Sequence, residues 1–161
     1  MKVFGIVGWK NAGKTGLLER LVTEITGQGF SVSTIKHAHH AFDIDQPGKD
    51  SFRHREAGAK EVLLSSGHRW ALMHELRGSP EPGLDDLLAT LSAVDLVLVE
   101  GFKGEAHPKV SAHRVATGKP PICDPGVRAI ATDSGQRFDR PTFDLDDTRA
   151  IASFILAEVG L

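Results

Sequence analysis

Eight consecutive residues near the start of the chain, Gly8-Trp9-Lys10-Asn11-Ala12-Gly13-Lys14-Thr15, complete the pattern Gly-x-x-x-x-Gly-Lys-Thr. That pattern constrains the fold because it works only between a strand and a helix. Its glycines let backbone amides curl around phosphate oxygens, and the positive end of the following helix favours the anion. Both flanks are present. Val3, Phe4, Ile6 and Val7 make a short apolar run that reads as a buried strand ending at Gly8. Leu17, Leu18, Leu21, Val22 and Ile25 then recur with helical period until Gly27 and Gly29 stop the helix. Gly8, Asn11, Ala12, Gly13, Lys14, Thr15 and Gly16 are therefore assigned to nucleotide binding. Within that set the Lys14 ammonium serves the β- and γ-phosphates and the Thr15 hydroxyl serves magnesium. The pattern points to a nucleotide and leaves the reaction open.

The rest of the chain completes an α/β reading. Residues 30–35 read as a second strand, followed by a polar loop with a Pro47-Gly48 break. Residues 51–58 suit a short helix capped by Asp50, and residues 61–65 and 69–75 suit two strands around Ser66-Gly67, a hairpin. Leu84, Leu87, Leu88 and Leu91 mark another helix. Residues 95–100, Asp-Leu-Val-Leu-Val-Glu, are the most apolar run and predict a central strand buried on both faces. Residues 110–115 and 127–132 are further strands, and residues 147–159 a closing helix. The expected fold is a phosphate-loop NTPase-like three-layer α/β fold with a mainly parallel sheet plus the antiparallel hairpin, in one domain spanning residues 1–161.

With 161 residues there is room for one substantial core, so further chemistry calls for a partner. A net charge of -2 provides no global basic field to recruit nucleic acid or an anionic membrane. Cys123 is the only cysteine, which excludes an intramolecular disulfide or a Cys-x-x-Cys motif and agrees with a reducing cytoplasm. No apolar run nears the roughly 20 residues of a membrane span, so neither signal peptide nor anchor is expected.

Polar groups at strand ends carry the remaining chemistry. Glu100, closing the apolar strand before Gly101, should emerge at the same sheet edge as the phosphate loop and join Thr15 at magnesium. Lys14, Lys36 and Glu100 are the candidate catalytic groups. Residues 36–50 gather Lys36, His37, His39, His40, Asp43, Asp45, Lys49 and Asp50 at the end of the second strand, which in such a sheet faces the ligand crevice. Recognition of phosphate or pterin is the favoured reading of Lys36, His37, His39, His40, Asp45 and Lys49, with Asp43 or Asp45 also able to approach magnesium. A transition-metal site on His37, His39 and His40 and a plain solvated loop remain alternatives. Arg53, His54 and Arg55 extend the basic surface. Lys103 lies three residues past Glu100, within reach of a bound anion or a partner, unless it is simply a surface lysine. Asp133, ending the strand at residues 127–132, can accept the two donors of guanine's Watson-Crick edge or merely cap its strand. The GTPase base motif Asn-Lys-x-Asp is excluded, because Asn11 is the only asparagine.

Three blocks together resemble one family, the molybdopterin-guanine dinucleotide biosynthesis adaptor proteins. They are Lys36-His37-x-His39-His40 through Ala57-Gly58-Ala59, Arg69-Trp70-Ala71-Leu72-Met73, and Leu98-Val99-Glu100-Gly101-Phe102-Lys103. The resemblance covers nearly the whole chain. It implies a homodimeric GTP-binding protein with weak GTPase activity, which assists the guanylyltransferase that joins GMP to molybdopterin. It also implies that Asp133 occupies a position suited to guanine. One departure stands out: many members read Gly-Lys-Thr-Thr, whereas this chain has Gly13-Lys14-Thr15-Gly16 and so lacks one hydroxyl. The Lys36 loop and the Glu100-Gly101 turn also resemble the dethiobiotin synthetases, which would make the chain a self-sufficient phosphoryl-transfer enzyme. A metal-chaperone GTPase using the histidines is a third possibility.

Overall fold

In a computed structural model the described residues are 1–38 and 42–161. Two compact units divide the chain: Met1–His37 with Leu84–Leu161, and Ala38–Gly83. The first holds β1 (Lys2–Val7), α1 (Lys14–Gly27), β2 (Val32–Lys36), α3 (Leu84–Thr90), β5 (Leu96–Glu100), β6 (Lys109–His113), β7 (Val127–Thr132), β8 (Thr142–Asp144) and α4 (Thr148–Val159). The second holds α2 (Asp50–Glu56), β3 (Glu61–Ser65) and β4 (Trp70–His74).

The first unit is built on a sheet ordered β2-β5-β1-β6-β7-β8, with every neighbouring pair parallel. Parallel strands need covering on both faces, and β5 shows how the sequence does it. All five of its residues are buried. Leu96 and Leu98 join the core under α1 and α4, with Phe4, Ile6, Leu17, Leu21 and Ile155. Val97 and Val99 face the other way, to Leu84, Leu87 and Leu88 of α3. Helices on two faces of one sheet give the three layers that the alternating elements predict.

Boundaries shift where polar groups take over. At the start of β2 and β5, Asp95 accepts from the Ser31 amide at 2.8 Å and the Ser31 hydroxyl at 2.6 Å. These bonds hold its carboxyl below the usual range and tie the starts of the two strands together. β6 begins one residue early because fully buried Lys109 is satisfied by backbone: its Nζ donates to the carbonyls of Glu105 and His107. Asp147 is the N-cap of α4, accepting from the Ala150 amide at 3.1 Å, not the first helical residue. The three-residue β8, Thr-Phe-Asp, was not anticipated, being too short to carry a periodicity.

The second unit confirms the hairpin, with Leu63 opposite Leu72 and Val62 opposite Met73. Val62 and Met73 are buried while Leu63, Trp70 and Leu72 on the other face are exposed. Met73 therefore fills core, and the exposed apolar face is carried by the other three. Lys49, not Asp50, occupies the cap position of α2, and no side chain bonds there. The expected basic surface also needs correction at Arg55. Its guanidinium reaches Asp43 at 2.9 Å, Asp45 at 2.8 Å and Glu75 at 3.6 Å and lies over the Phe52 ring. Those partners hold the unit together and raise the Arg55 pKa, the Asp45 hydrogen bond most of all.

Candidate functional site

Strand register alone assembles the centre of the site. Lys36 pairs with Glu100 across β2 and β5, and Glu100 pairs with Ile6 across β5 and β1. Since β1 runs into the phosphate loop two residues later, an acid and a base are delivered to the loop's edge of the sheet. In the loop, a Cβ on Gly8 would lie 2.5 Å from the Ala112 carbonyl oxygen, so only glycine lets the chain leave β1 this close to β6. Gly13, with φ 89°, is the N-cap of α1 and offers no capping side chain. The first amides of α1 therefore face the loop as donors for an anion.

Thr15 Oγ1 lies 3.3 Å from each oxygen of buried Glu100, and Lys36 Nζ lies 3.6 Å from one of them. This hydroxyl and carboxylate, side by side, are the hard oxygen donors that magnesium takes. Lys14 Nζ donates to the Trp9 carbonyl at 2.9 Å. Its pKa is lowered, chiefly by burial, with Glu100 opposing and Lys103 and Lys36 adding to the shift. A bound polyphosphate would relieve that repulsion, so the residues present fit a magnesium nucleotide. Among the described residues no three His, Cys, Asp or Glu side chains gather into a metal cage.

The structure thus brings Gly8, Asn11, Ala12, Gly13, Lys14, Thr15, Gly16, Lys36 and Glu100 to one edge. His37 follows β2 and stacks on Phe102, ring centroids 4.6 Å apart. Lys103 lies with its ammonium 5.0 Å from the Trp9 ring centroid. Asp133 directly follows β7, where Oδ1 accepts from the Val115 amide at 2.9 Å and Oδ2 lies 3.9 Å from Arg114. It is thus engaged with the short 3-10 turn Val115–Thr117 that follows β6. Asp45, in the second unit, has one oxygen on Arg55, and Lys49 is exposed at the start of α2. His39 and His40 lie outside the described residues.

Sequence reasoning missed three residues here. Trp9 fills a position the loop pattern leaves free, Arg114 lies against Gly13, and Lys119 sits 4.4 Å from the Trp9 ring centroid although residues 118–121 read only as a turn. Nothing in their spacing marks them, because the contacts form between loops far apart in the chain.

Against known proteins, residues 3–133 match the family model described as molybdopterin guanine dinucleotide synthesis protein B. The chain is 43% identical over 157 residues to the molybdopterin-guanine dinucleotide biosynthesis adapter protein of Haemophilus influenzae, covering 95% of this chain and 86% of that one. The Escherichia coli protein of the same name is 36% identical over 159 residues, covering 96% and 91%. The crystal structure of a MobB protein homolog from Bacillus stearothermophilus superposes with a TM-score of 0.72 at 28% identity, covering 99% of both chains.

Proposed function

The chain belongs to the molybdopterin guanine dinucleotide synthesis protein B family, and from that premise we propose that it is a GTP-binding adaptor in the making of the molybdopterin guanine dinucleotide cofactor. In this reading it presents its nucleotide state to the guanylyltransferase that joins GMP to molybdopterin, and hydrolyses GTP only weakly itself. The observation that carries it is the convergence of Lys14, Thr15, Lys36 and Glu100 at the phosphate loop.

The roles divide by chemistry. Loop amides and Lys14 hold phosphate oxygens, while Thr15 and Glu100 would hold magnesium directly or through water. Magnesium supplies charge neutralisation on the phosphates when bound. Lys36 balances Glu100 and is exposed enough to turn toward phosphate. Asp133 reads guanine: its Oδ2 is turned to Arg114, and a carboxylate oxygen has lone pairs for a second donor even while Val115 is bound. His37, His39, His40, Asp45, Lys49 and Lys103 serve the pterin side.

We read the protein as a cytoplasmic homodimer. The exposed face of Leu63, Trp70 and Leu72 supports this, since aromatic and aliphatic side chains of this kind suit the centre of an interface. No helix among the described residues is long and apolar enough to cross a membrane.

The test is reconstitution. Purified guanylyltransferase, molybdopterin and magnesium GTP should yield more dinucleotide when this protein is added, and the gain should vanish with Lys14→Ala. Phosphorylation of a small carboxylate or hydroxyl substrate by the isolated protein, with no effect on guanylylation, would instead favour the phosphoryl-transfer enzyme.

A further inference from the structure

We propose that Trp9, Lys103 and Lys119 form a second anion seat beside the phosphate loop, one that takes the phosphate of a pterin phosphomonoester while the loop holds the nucleotide. This deepens the adaptor reading and rests on it for the identity of the ligand.

Trp9 is pinned at both ends. Its indole Nε1 donates to the Pro120 carbonyl at 2.8 Å, and its own carbonyl accepts from Lys14 Nζ at 2.9 Å. Two ammonium groups converge on the ring so fixed, Lys119 at 4.4 Å and Lys103 at 5.0 Å from the centroid. They arrive on separate connections, one after β5 and one before β7. The Lys103 connection is turned by backbone of positive φ, Gly101 at 100° and Phe102 at 48°. A bulky residue rarely adopts that conformation, and here the stack of Phe102 on His37 holds it. Gly101 has no alternative, because a Cβ there would lie 2.9 Å from that of His37.

The two lysines differ from two other cations of the edge, Lys36 and Arg114. Lys36 has Glu100 and Arg114 has Asp133 as ionic partners, whereas among the described residues no carboxylate lies within 4.0 Å of Lys103 or Lys119. Each instead rests on an indole, a weaker hold than a charge-assisted hydrogen bond to phosphate. Lys103 also repels Lys14, adding to its lowered pKa. An anion between Lys103 and Lys119 would draw both off the ring and expose it. A phosphomonoester is dianionic and suits two ammonium groups, and the uncovered indole offers a stacking face to a flat heterocycle joined to that phosphate. Nucleotide phosphates have their own donors in the loop amides and Lys14, so both ligands fit at one sheet edge with their phosphates adjacent.

The test uses Trp9 as its own reporter. Trp9 and Trp70 are the only tryptophans and the chain has no tyrosine, so Trp70→Phe leaves one emitter. With the protein saturated by a non-hydrolysable magnesium GTP analogue, 6-hydroxymethylpterin monophosphate is titrated at constant ionic strength. Saturable quenching is expected, with the nucleotide retained. Lys103→Ala with Lys119→Ala should weaken that binding at least tenfold more than it weakens nucleotide binding, and the Gln pair should do the same. Unphosphorylated 6-hydroxymethylpterin should bind at least tenfold more weakly than the monophosphate. Displacement of the nucleotide by the pterin phosphate, equal affinity in the double variants, or no saturable quenching at millimolar probe would each overturn the seat. If the nucleotide itself fails to bind while lysine-dependent quenching persists, the adaptor reading falls and the seat stands.

Discussion

Gly16 and His107 are the two residues whose chemistry is least expected from their neighbours. A Cβ on Gly16 would meet nothing nearer than Arg20 Nη1 at 3.7 Å, so the position tolerates a side chain and glycine only weakens the helix. Gly16→Ala should raise unfolding free energy by about 0.5 kcal/mol, toward the low end of the helix scale because the site is in the first turn. Gly16→Thr should in addition tighten nucleotide binding by restoring a hydroxyl, which calorimetric titration would measure. His107 packs against Gly5, and neither buried ring nitrogen has a hydrogen-bond partner. Burial first and Lys109 second lower its pKa to about 4, against the opposing pull of Asp124. The unfolded chain therefore binds a proton near pH 6.5 that the folded chain refuses until about pH 4. Stability contributed by this residue is full above pH 6.5 and is lost as pH falls through that window. Allowing for partial exposure, the loss is about 2 kcal/mol. Urea midpoints from pH 7 to 4 should fall less steeply for His107→Gln than for the wild type.

At the scale of elements, the exposed hairpin face makes a separate prediction. If Leu63, Trp70 and Leu72 meet a second copy, Trp70→Glu with Leu72→Glu should convert a dimer to a monomer without loss of the buried Val62–Met73 pair. Light scattering showing a monomeric wild type at every concentration would contradict the interface. The hairpin also shows what the chain made legible. The Ser66-Gly67 turn between residues 61–65 and 69–75 specifies a hairpin of two strands, and the apolar run of residues 96–99 in β5 specifies a strand buried on both faces. Glu100 followed directly, since a strand end is fixed once the strand is. Arg55 was illegible because a short helix of charged residues looks the same whether its arginine meets water or three carboxylates. Trp9 with Lys103 and Lys119 was hidden for a similar reason: the contact joins a phosphate loop to two connections without periodic pattern.

For the whole molecule, the proposed nucleotide site lies within one of the two units. The first carries the phosphate loop, Lys36, Glu100 and Asp133 on one parallel sheet, so nucleotide binding should depend on that unit's strand register. The second, with Arg55 bonded to Asp43 and Asp45, carries the exposed apolar hairpin face, together with Asp45 and Lys49 of the residues proposed for the pterin side. The claim on which the rest depends is that magnesium GTP binds at the phosphate loop. Calorimetric titration of the wild type and Lys14→Ala with magnesium GTP tests it most directly, with circular dichroism to show that the variant is folded. The prediction is one nucleotide per chain for the wild type and at least tenfold weaker binding for the folded variant, because a charge-assisted phosphate contact is lost from a loop and not from the core. Unchanged affinity in folded Lys14→Ala, or no heat of binding in the wild type, would contradict it.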